Sequence, residues 1–275
     1  MKEKIILNKT EDNSLTLYLP EYGENTHTIH GAYTEALNKH IIPSGICNKS
    51  GDLCILDIGF GLGYNILALL DSFYNSPFSY LRIISFEKEK GIADYLDMVK
   101  FNDKRDDLYA MVKDAFNKGS FSNDKIKIEI CFGDARQNIK KISLKNSVDA
   151  VFHDPHSPGK NSELWTINFF KHLHACMKDD AYLTTYSFAP QIRYGLIKAG
   201  FFVGSWTGNC FEKEGTIASK SIFKDCFSDD YIRLLEADKR STPYLDNETM
   251  DLERETIRIN RIEAAKKRKE LIQQI

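Results

Sequence analysis

A chain of 275 residues with 42% hydrophobic content can bury one substantial core or two modest ones, and its net charge of −2 excludes a globally basic nucleic-acid binder while leaving a local basic face open. Its six cysteines (Cys47, Cys54, Cys131, Cys176, Cys210, Cys226) include no CxxC pair, which argues against structural zinc and a disulfide framework and suits a reducing cytosol. The opening MKEKIILNKT breaks its apolar run with Asn8 and Lys9 and is no signal peptide, and no segment approaches the ~20 apolar residues of a membrane helix, so a soluble, cytoplasmic protein without a membrane partner is expected.

In chain order, SLTLYLPEYGENTHTI predicts a hairpin and GAYTEALNKHI a short helix, together a small N-terminal extension over residues 1–50. LCILDI is a strand leading into a glycine turn, and YNILALLDSF the helix after it. LRIISFE is a second strand, followed by helical material at 88–98 and around 107–117. KIKIEICFGD and SVDAVFHD are the third and fourth strands, and ELWTINFFKHLHACM is a helix with apolar residues at helical spacing. AYLTTYSF is a fifth strand, and APQIRYGLIKAG a helix closed by Gly200. Such alternation means an α/β domain, over 51–225, with a mostly parallel sheet covered on both faces. Residues 226–275 read as a charged helical tail, with a helix from Leu252 to Gln274 as a solvated end.

Within LDIGFGLGYN, Asp57 ends a strand and Gly59, Gly61 and Gly63 follow at alternate positions, with Asn65 opening the helix. Glycines at a strand–helix turn let backbone approach a ligand where side chains would clash. The spacing is GxGxG, not the dinucleotide GxGxxG, and a glycine cluster alone is a weak signal. Acidic residues at the ends of the next three strands strengthen it. Glu87 in ISFEK is placed to accept both hydroxyls of a ribose. Asp134, before Ala135 in FGDA, suits an adenine exocyclic amine or a helix cap. Asp154 in FHDP stands where strand order should switch. No Walker GxxxxGK[ST] is present, so an adenosine without phosphate fits best. S-adenosylmethionine, whose sulfonium favours an acidic pocket, is the expected cofactor.

The stretches DIGFGLGYN, ISFEK, FGDA, VDAVFHDPHSPGKNSELWTINFF and AYLTTYSFAPQIRYGLIKAGFFVG resemble the tRNA 5-methylaminomethyl-2-thiouridine methyltransferase family, from about Tyr22 to Ser219. The most specific part is the spacing of Asp154, Pro158, Lys160, Asn161 and Trp165; GAYTEA and GTIAS resemble its stand-alone members. The resemblance implies a Rossmann-like methyltransferase fold with a seven-stranded sheet. It also implies S-adenosylmethionine-dependent methylation of the aminomethyl group on the wobble uridine of tRNA, with the anticodon stem-loop as partner. Cofactor contacts are expected from Asp57, Gly59, Gly61, Gly63, Asn65, Glu87, Asp134, Ala135 and Asp154. Bifunctional members fuse this domain to a flavin-dependent oxidase; no second glycine-rich turn follows Ser219 here. Two departures are Glu212 and Glu214 before GTIAS, where relatives tend to be basic, and His156, where an aromatic such as Phe is common.

Methyl transfer to an amine needs the neutral amine, because an ammonium has no lone pair. A like charge 4 Å away disfavours ammonium by about 4 kcal/mol at an effective dielectric of 20, or about three pKa units. Asp154 is therefore assigned to orienting the amine and accepting its hydrogen bond, with proton acceptance open. His156 contacts the base or packs. Trp165 and Phe169, four apart, read as core, and Lys160 and Arg193 are the expected phosphate contacts. No metal is expected, since His172 and His174 point to different sides of a helix. Two alternatives stand beside this reading: an aminopropyltransferase of spermidine-synthase type, echoed by HDPHSPG, and a non-catalytic tRNA-binding adaptor.

Overall fold

The structure is a computed structural model that describes residues 5–28, 30–73, 78–207 and 214–272. At the N-terminus, β1 (Ile6–Lys9), β2 (Leu15–Leu19) and β3 (Glu24–Asn25) form a three-stranded antiparallel sheet, one strand more than the expected hairpin. The extra strand, ILNK, is mostly exposed and lacks an apolar–polar alternation, so the sequence carries no signal for it. The next helical segment begins as α1 (Ala32–Ala36), widens into a π-helical turn over Leu37–Ile41 and closes as α2 (Ile42–Ser44). Asp12 anchors its start, accepting from the backbone N–H and hydroxyl of Thr34 at 3.0 and 2.8 Å. The buried stripe of this segment runs through Ala32, Ala36, Lys39, His40 and Pro43, so a histidine stands where helical periodicity calls for a core residue.

The main sheet holds β4 (Gly51–Ile58), β5 (Phe78–Glu87), β6 (Ser120–Ser122), β7 (Ile126–Phe132), β8 (Val148–His153), β9 (Met177–Thr185), β10 (Phe202–Trp206) and β11 (Gly215–Ser219). Their order is β10-β11-β9-β8-β4-β5-β7-β6, with β4, β5, β7, β8 and β9 parallel and the outer pairs antiparallel. Seven strands match the expected sheet; the eighth is the three-residue edge strand β6. After β7 the chain returns across β5 and β4 to lay β8 beside β4, so strand order reverses between β4 and β8 and a crevice opens at their carboxyl ends.

Because side chains alternate across a strand, each strand feeds two cores. Leu53 and Ile55 of β4, Leu81 and Ile83 of β5, and Ala150 and Phe152 of β8 meet the N-terminal segment, α3 (Tyr64–Ser72) and α5 (Arg105–Lys118). The short α4 (Ala93–Leu96) follows a single 3-10 turn, in place of one helix over 88–98. On the other face, Leu56, Ile58, Ile84, Phe86 and Val151 pack under α6 (Ala135–Lys141), α7 (Ile167–Cys176) and α8 (Pro190–Lys198). Thr166 caps α7 by accepting from Phe169 N, so that helix starts later than its apolar pattern suggests.

The C-terminal segment carries α9 (Asp229–Ala237) and α10 (Arg254–Ile272), and it contributes Tyr244, Met250 and Ile257 to the second core. Arg136 in α6 pins the stretch between those helices, donating to Asp246 Oδ2 and to the Leu252 carbonyl at 2.8 and 2.9 Å. The Asp246 side chain is fully buried. Removing the guanidinium strands a buried carboxylate, a loss of about 3–5 kcal/mol, whereas removing both partners is far milder. Urea unfolding should therefore show Arg136→Met destabilised by about 3 kcal/mol or more, with Arg136→Met/Asp246→Leu recovering much of it.

Candidate active site

The alternation that builds the cores also places the acids. Asp57 of β4 lies in register with Ser85 of β5, and both point to the face covered by α3. Ser85 Oγ donates to Asp57 Oδ2 at 2.6 Å, and the Asn65 amide donates to Oδ1 at 3.2 Å. Burial nevertheless pushes the Asp57 carboxyl up to about 7, with the charge of Asp154 adding to the rise against those bonds. Asp154, two residues beyond Phe152, emerges on the same face. Its Oδ2 accepts the second N–H of Asn65 at 3.1 Å. Asn65 thus bridges a carboxylate beneath the crevice floor and one that lines the crevice.

The three glycines serve different ends. Gly59 has φ 99°, and a β-carbon there would stand 2.5 Å from the Asp154 carbonyl oxygen, so the turn and the loop after β8 meet backbone to backbone. A β-carbon on Gly63 would strike Val112 of α5 at 2.6 Å, which makes that glycine a helix-packing requirement. Gly61 donates its N–H to Glu87 Oε2 at 3.1 Å, and Lys88 and Glu89 donate theirs to Oε1, both at 2.6 Å. Burial raises the Glu87 carboxyl above its ordinary range against the pull of these three donors. Fixed this way, it lines the cleft. Asp134 caps α6, accepting from Arg136 N at 2.8 Å, and pairs with the Arg136 guanidinium at 2.8 Å while still lining the cleft beside Ala135.

The cleft is open to solvent, with about 820 Å³ of space between its walls and the surrounding solvent. Its walls include Gly59 and Gly61, the carboxylates Glu87, Glu89, Asp134, Asp154 and Glu163 with Lys88 among them, the apolar Ile58, Phe86 and Ile92, and a cover from the N-terminal segment that includes Tyr22 and His27. His27 Nε2 is buried against the glycine turn with no partner among the described residues. Glycine-lined backbone, five carboxylates beside one lysine, and an unpartnered imidazole nitrogen suit a polar, positively charged small molecule bearing hydroxyls. Among the described residues no group of three or more His, Cys, Asp or Glu side chains is set to hold a metal ion.

His156 stacks on Tyr22, with ring centroids 3.8 Å apart, and its Nδ1 lies 3.3 Å from Glu24 Oε1. Burial opposes ionisation of Glu24, but bonds from His156 and Ser157 hold its carboxyl below the usual range. The Arg254 guanidinium covers the other side of Tyr22 at 4.9 Å and pairs with Glu163 at 2.9 Å. His156 therefore packs and also lines the cleft. Trp165 is fully buried and donates Nε1–H to the His156 carbonyl at 2.8 Å; Phe169 is fully buried too. Both are core. Asp57 and Asn65 are both buried and outside the cleft lining; Asn65 links Asp57 to Asp154, which lines it.

The expected phosphate contacts separate. Lys160 is exposed, its ammonium close to Gly23 in the N-terminal sheet. Arg193 is not on the surface. It is 5% exposed, pairs with Glu214 at 2.8 Å, donates to the hydroxyls of Thr216 and Tyr231, and covers the Phe227 ring. Arg193 sits within a run of buried residues of α8, from Ile192 to Leu196, so its guanidinium is turned to partners inside the protein. Glu212 lies outside the described residues.

Sequence reasoning missed His40. Its ring is 1% exposed, with Nε2 3.6 Å from Asp154 Oδ1 and Nδ1 3.0 Å from Thr184 Oγ1. Burial works to raise the Asp154 carboxyl, but His40, with His27 and Asn65, holds it below the ordinary carboxylate range. The available signal was the placement of His40 on an otherwise core-facing stripe. Asp154 thus ends up as an ionised carboxylate that is 14% exposed at the cleft wall, the chemistry of a group that receives a cation or an N–H donor.

A family model described as S-adenosyl-L-methionine-dependent methyltransferase matches residues 100–221. The crystal structure of MnmC2 from Aquifex aeolicus is similar at a TM-score of 0.84, with 30% identity over 96% of this chain and 86% of that one. An uncharacterized protein, MJ0670, of Methanocaldococcus jannaschii is 30% identical over 98% of this chain and 75% of its own length. The tRNA 5-methylaminomethyl-2-thiouridine biosynthesis bifunctional protein MnmC of Burkholderia vietnamiensis is 28% identical over 68% of this chain, which spans 31% of that protein. Among the described residues no helix is long and apolar enough to cross a membrane. With the acidic, glycine-floored cleft at the switch of strand order, these likenesses show that the chain belongs to the MnmC family of S-adenosyl-L-methionine-dependent methyltransferases.

Proposed function

We propose that this protein methylates the aminomethyl group on the wobble uridine of tRNA, at an amine held against Asp154. The observation that carries the reading is Asp154 itself: an ionised carboxylate at the cleft wall, fixed from behind by Asn65 and His40 and backed by the Gly59 turn. The names of the bifunctional relatives, tRNA 5-methylaminomethyl-2-thiouridine biosynthesis proteins, support tRNA as the substrate class.

The residues fit S-adenosylmethionine, which when bound supplies a methyl group on a positively charged sulfur. Glu87, held by three N–H groups, is assigned to the ribose hydroxyls. Asp134 and Ala135 are assigned to the adenine edge, and Gly59 and Gly61 to the backbone floor. Asn65 and Asp57 act beneath the floor by fixing Asp154. Asp154 orients the acceptor amine through a hydrogen bond and, with the cleft walls, excludes water from it. Lys160, exposed beside the N-terminal sheet, is assigned to the RNA backbone.

Gly59→Ala should move the loop that carries Asp154, because its new β-carbon would overlap backbone that cannot swing aside. Calorimetry should show S-adenosylmethionine affinity reduced about tenfold or more, roughly 1.4 kcal/mol; unchanged affinity would remove Gly59 from the cofactor floor.

The reading is tested by methyl incorporation into tRNA carrying 5-aminomethyl wobble uridine, under single-turnover conditions, with nucleoside mass analysis of the product. Wild-type protein should form the methylaminomethyl nucleoside, and tRNA without the aminomethyl group should accept nothing. Asp154→Asn should keep cofactor affinity while the rate falls ~10²-fold, the pattern of an interaction made mainly toward the transition state. Methylation of both RNAs alike would overturn the assignment.

A further inference from the structure

An asparagine at the start of a helical turn normally spends its side chain on that turn, accepting from backbone N–H groups two or three residues on. Asn161 stands directly before the Ser162–Trp165 turn and makes no such bond. Its backbone is satisfied: the N–H donates to the Ser157 carbonyl at 2.9 Å, and the carbonyl accepts from Leu164 N at 3.1 Å. Its side chain is not. The residue is 6% exposed and lines the cleft, yet neither end of its amide has a hydrogen-bond partner among the described residues, and neither end is sealed from solvent. A polar group kept in this state costs free energy until a ligand pairs with it.

We infer that Asn161 is a base-binding residue, pairing with the O4 and N3–H edge of the uracil whose aminomethyl group Asp154 holds. This rests on the amine-acceptor reading above. The cofactor's polar groups already have assigned partners: Glu87 for the ribose hydroxyls, Asp134 and Ala135 for the adenine edge, and carboxylates for the positive charge. Ionised carboxylates only accept, so they cannot serve a carbonyl oxygen. A side-chain amide presents one donor beside one acceptor, the complement of uracil O4 beside N3–H, and either orientation of the amide is reached by rotation about a single bond.

Placement agrees with the chemistry. Asn161 lies on the loop that Asp154 opens, and both line the cleft. In the acceptor base, the ring carbon that bears the aminomethyl group neighbours C4, so the edge nearest the amine is the O4 side. Lys160 and Asn161 are consecutive but face different ways, the first exposed beside the N-terminal sheet and the second buried in the cleft wall. One loop thus offers a carboxylate to the amine, an amide to the base edge and an ammonium to the RNA backbone. Bases turned out of the stack are read on this same edge in single-stranded RNA. The loop is also fixed beforehand. Ser157 N and Oγ both donate to Glu24 at 2.7 Å, Ser162 Oγ donates to the Arg254 carbonyl at 3.1 Å, and Glu163 pairs with the Arg254 guanidinium. Little ordering of the amide is then left to the binding step.

The test compares two anticodon stem-loop RNAs in single-turnover methyl transfer with saturating S-adenosylmethionine. One carries 5-aminomethyluridine, and the other carries the same nucleoside with a methyl group on uracil N3, which removes the donor and crowds the edge. Wild type should be about tenfold or more slower on the N3-methyl RNA. Asn161→Ala should be about tenfold or more slower than wild type on the first RNA, and should treat the two RNAs alike within about twofold. Calorimetry should show its S-adenosylmethionine affinity within about twofold of wild type. A wild type equally active on both RNAs overturns the role of Asn161 alone, as does an Asn161→Ala variant that keeps the wild-type preference. Cofactor affinity reduced by about tenfold or more in that variant assigns the amide to the cofactor and also overturns it. A wild type inactive on both RNAs overturns the function proposed above and this inference together. Should Asn161→Ala fail to melt cooperatively, Asn161→Asp serves instead: it keeps the shape, sets an acceptor against O4 and should be about tenfold or more slower on the first RNA with cofactor affinity kept. A wild-type rate in the folded Asn161→Asp variant overturns the inference.

Discussion

One side-chain amide holds two carboxylates in place. Asn65 uses both of its N–H bonds, one on Asp57 at 3.2 Å and one on Asp154 at 3.1 Å; the second, to a charged acceptor, contributes about 1.5–3 kcal/mol. Two acids this close disfavour each other's ionisation, and the Asp57 carboxyl is the one that yields: it is fully buried and pushed up to about 7. Asp154 keeps its charge because His40 lies 3.6 Å from it, with His27 and Asn65 adding to the stabilisation, and because it borders the cleft. The contrast between a fully buried acid and a half-buried one at the cleft wall follows from where the strands end.

Everything around that bridge constrains it further. The Gly59 turn fixes the backbone on one side and α3 fixes Asn65 on another. The N-terminal sheet closes the cleft from above, and its cover is held by a stack in which the Arg254 guanidinium, the Tyr22 ring and the His156 ring lie in sequence. Arg254 belongs to α10, so the C-terminal segment reaches the mouth of the cleft. Arg136 ties the same segment to the helix that Asp134 caps. The two ends of the chain thus meet over the acidic site, and changes in either should be felt there.

What could be read from the sequence follows the physics of regular elements. Five strands ending in Asp57, Glu87, Asp134, Asp154 and the AYLTT run were legible because apolar alternation stops where the carboxyl ends begin. The glycines were legible because few side chains tolerate such a turn. Harder cases depended on partners far away in sequence. β1 has no alternation to betray it. Arg193 has the look of a surface cation, but Glu214, Thr216 and Tyr231 surround it, and the acid that makes GTIAS unusual is the one that pairs with it. His40 meets Thr184 across 144 positions, a contact that only the folded π-helical segment creates.

The central claim is that Asp154 works because Asn65 holds it at the cleft wall as a carboxylate. The most direct measurement is the single-turnover methyl-transfer rate of Asn65→Leu on aminomethyl-uridine tRNA at pH 7, with saturating cofactor. The account predicts a fall of at least about tenfold, since a misplaced catalytic group forfeits this much, with the protein still folded. A rate equal to wild type in the folded variant would contradict it, by showing that Asp154 needs no bridge to do its work.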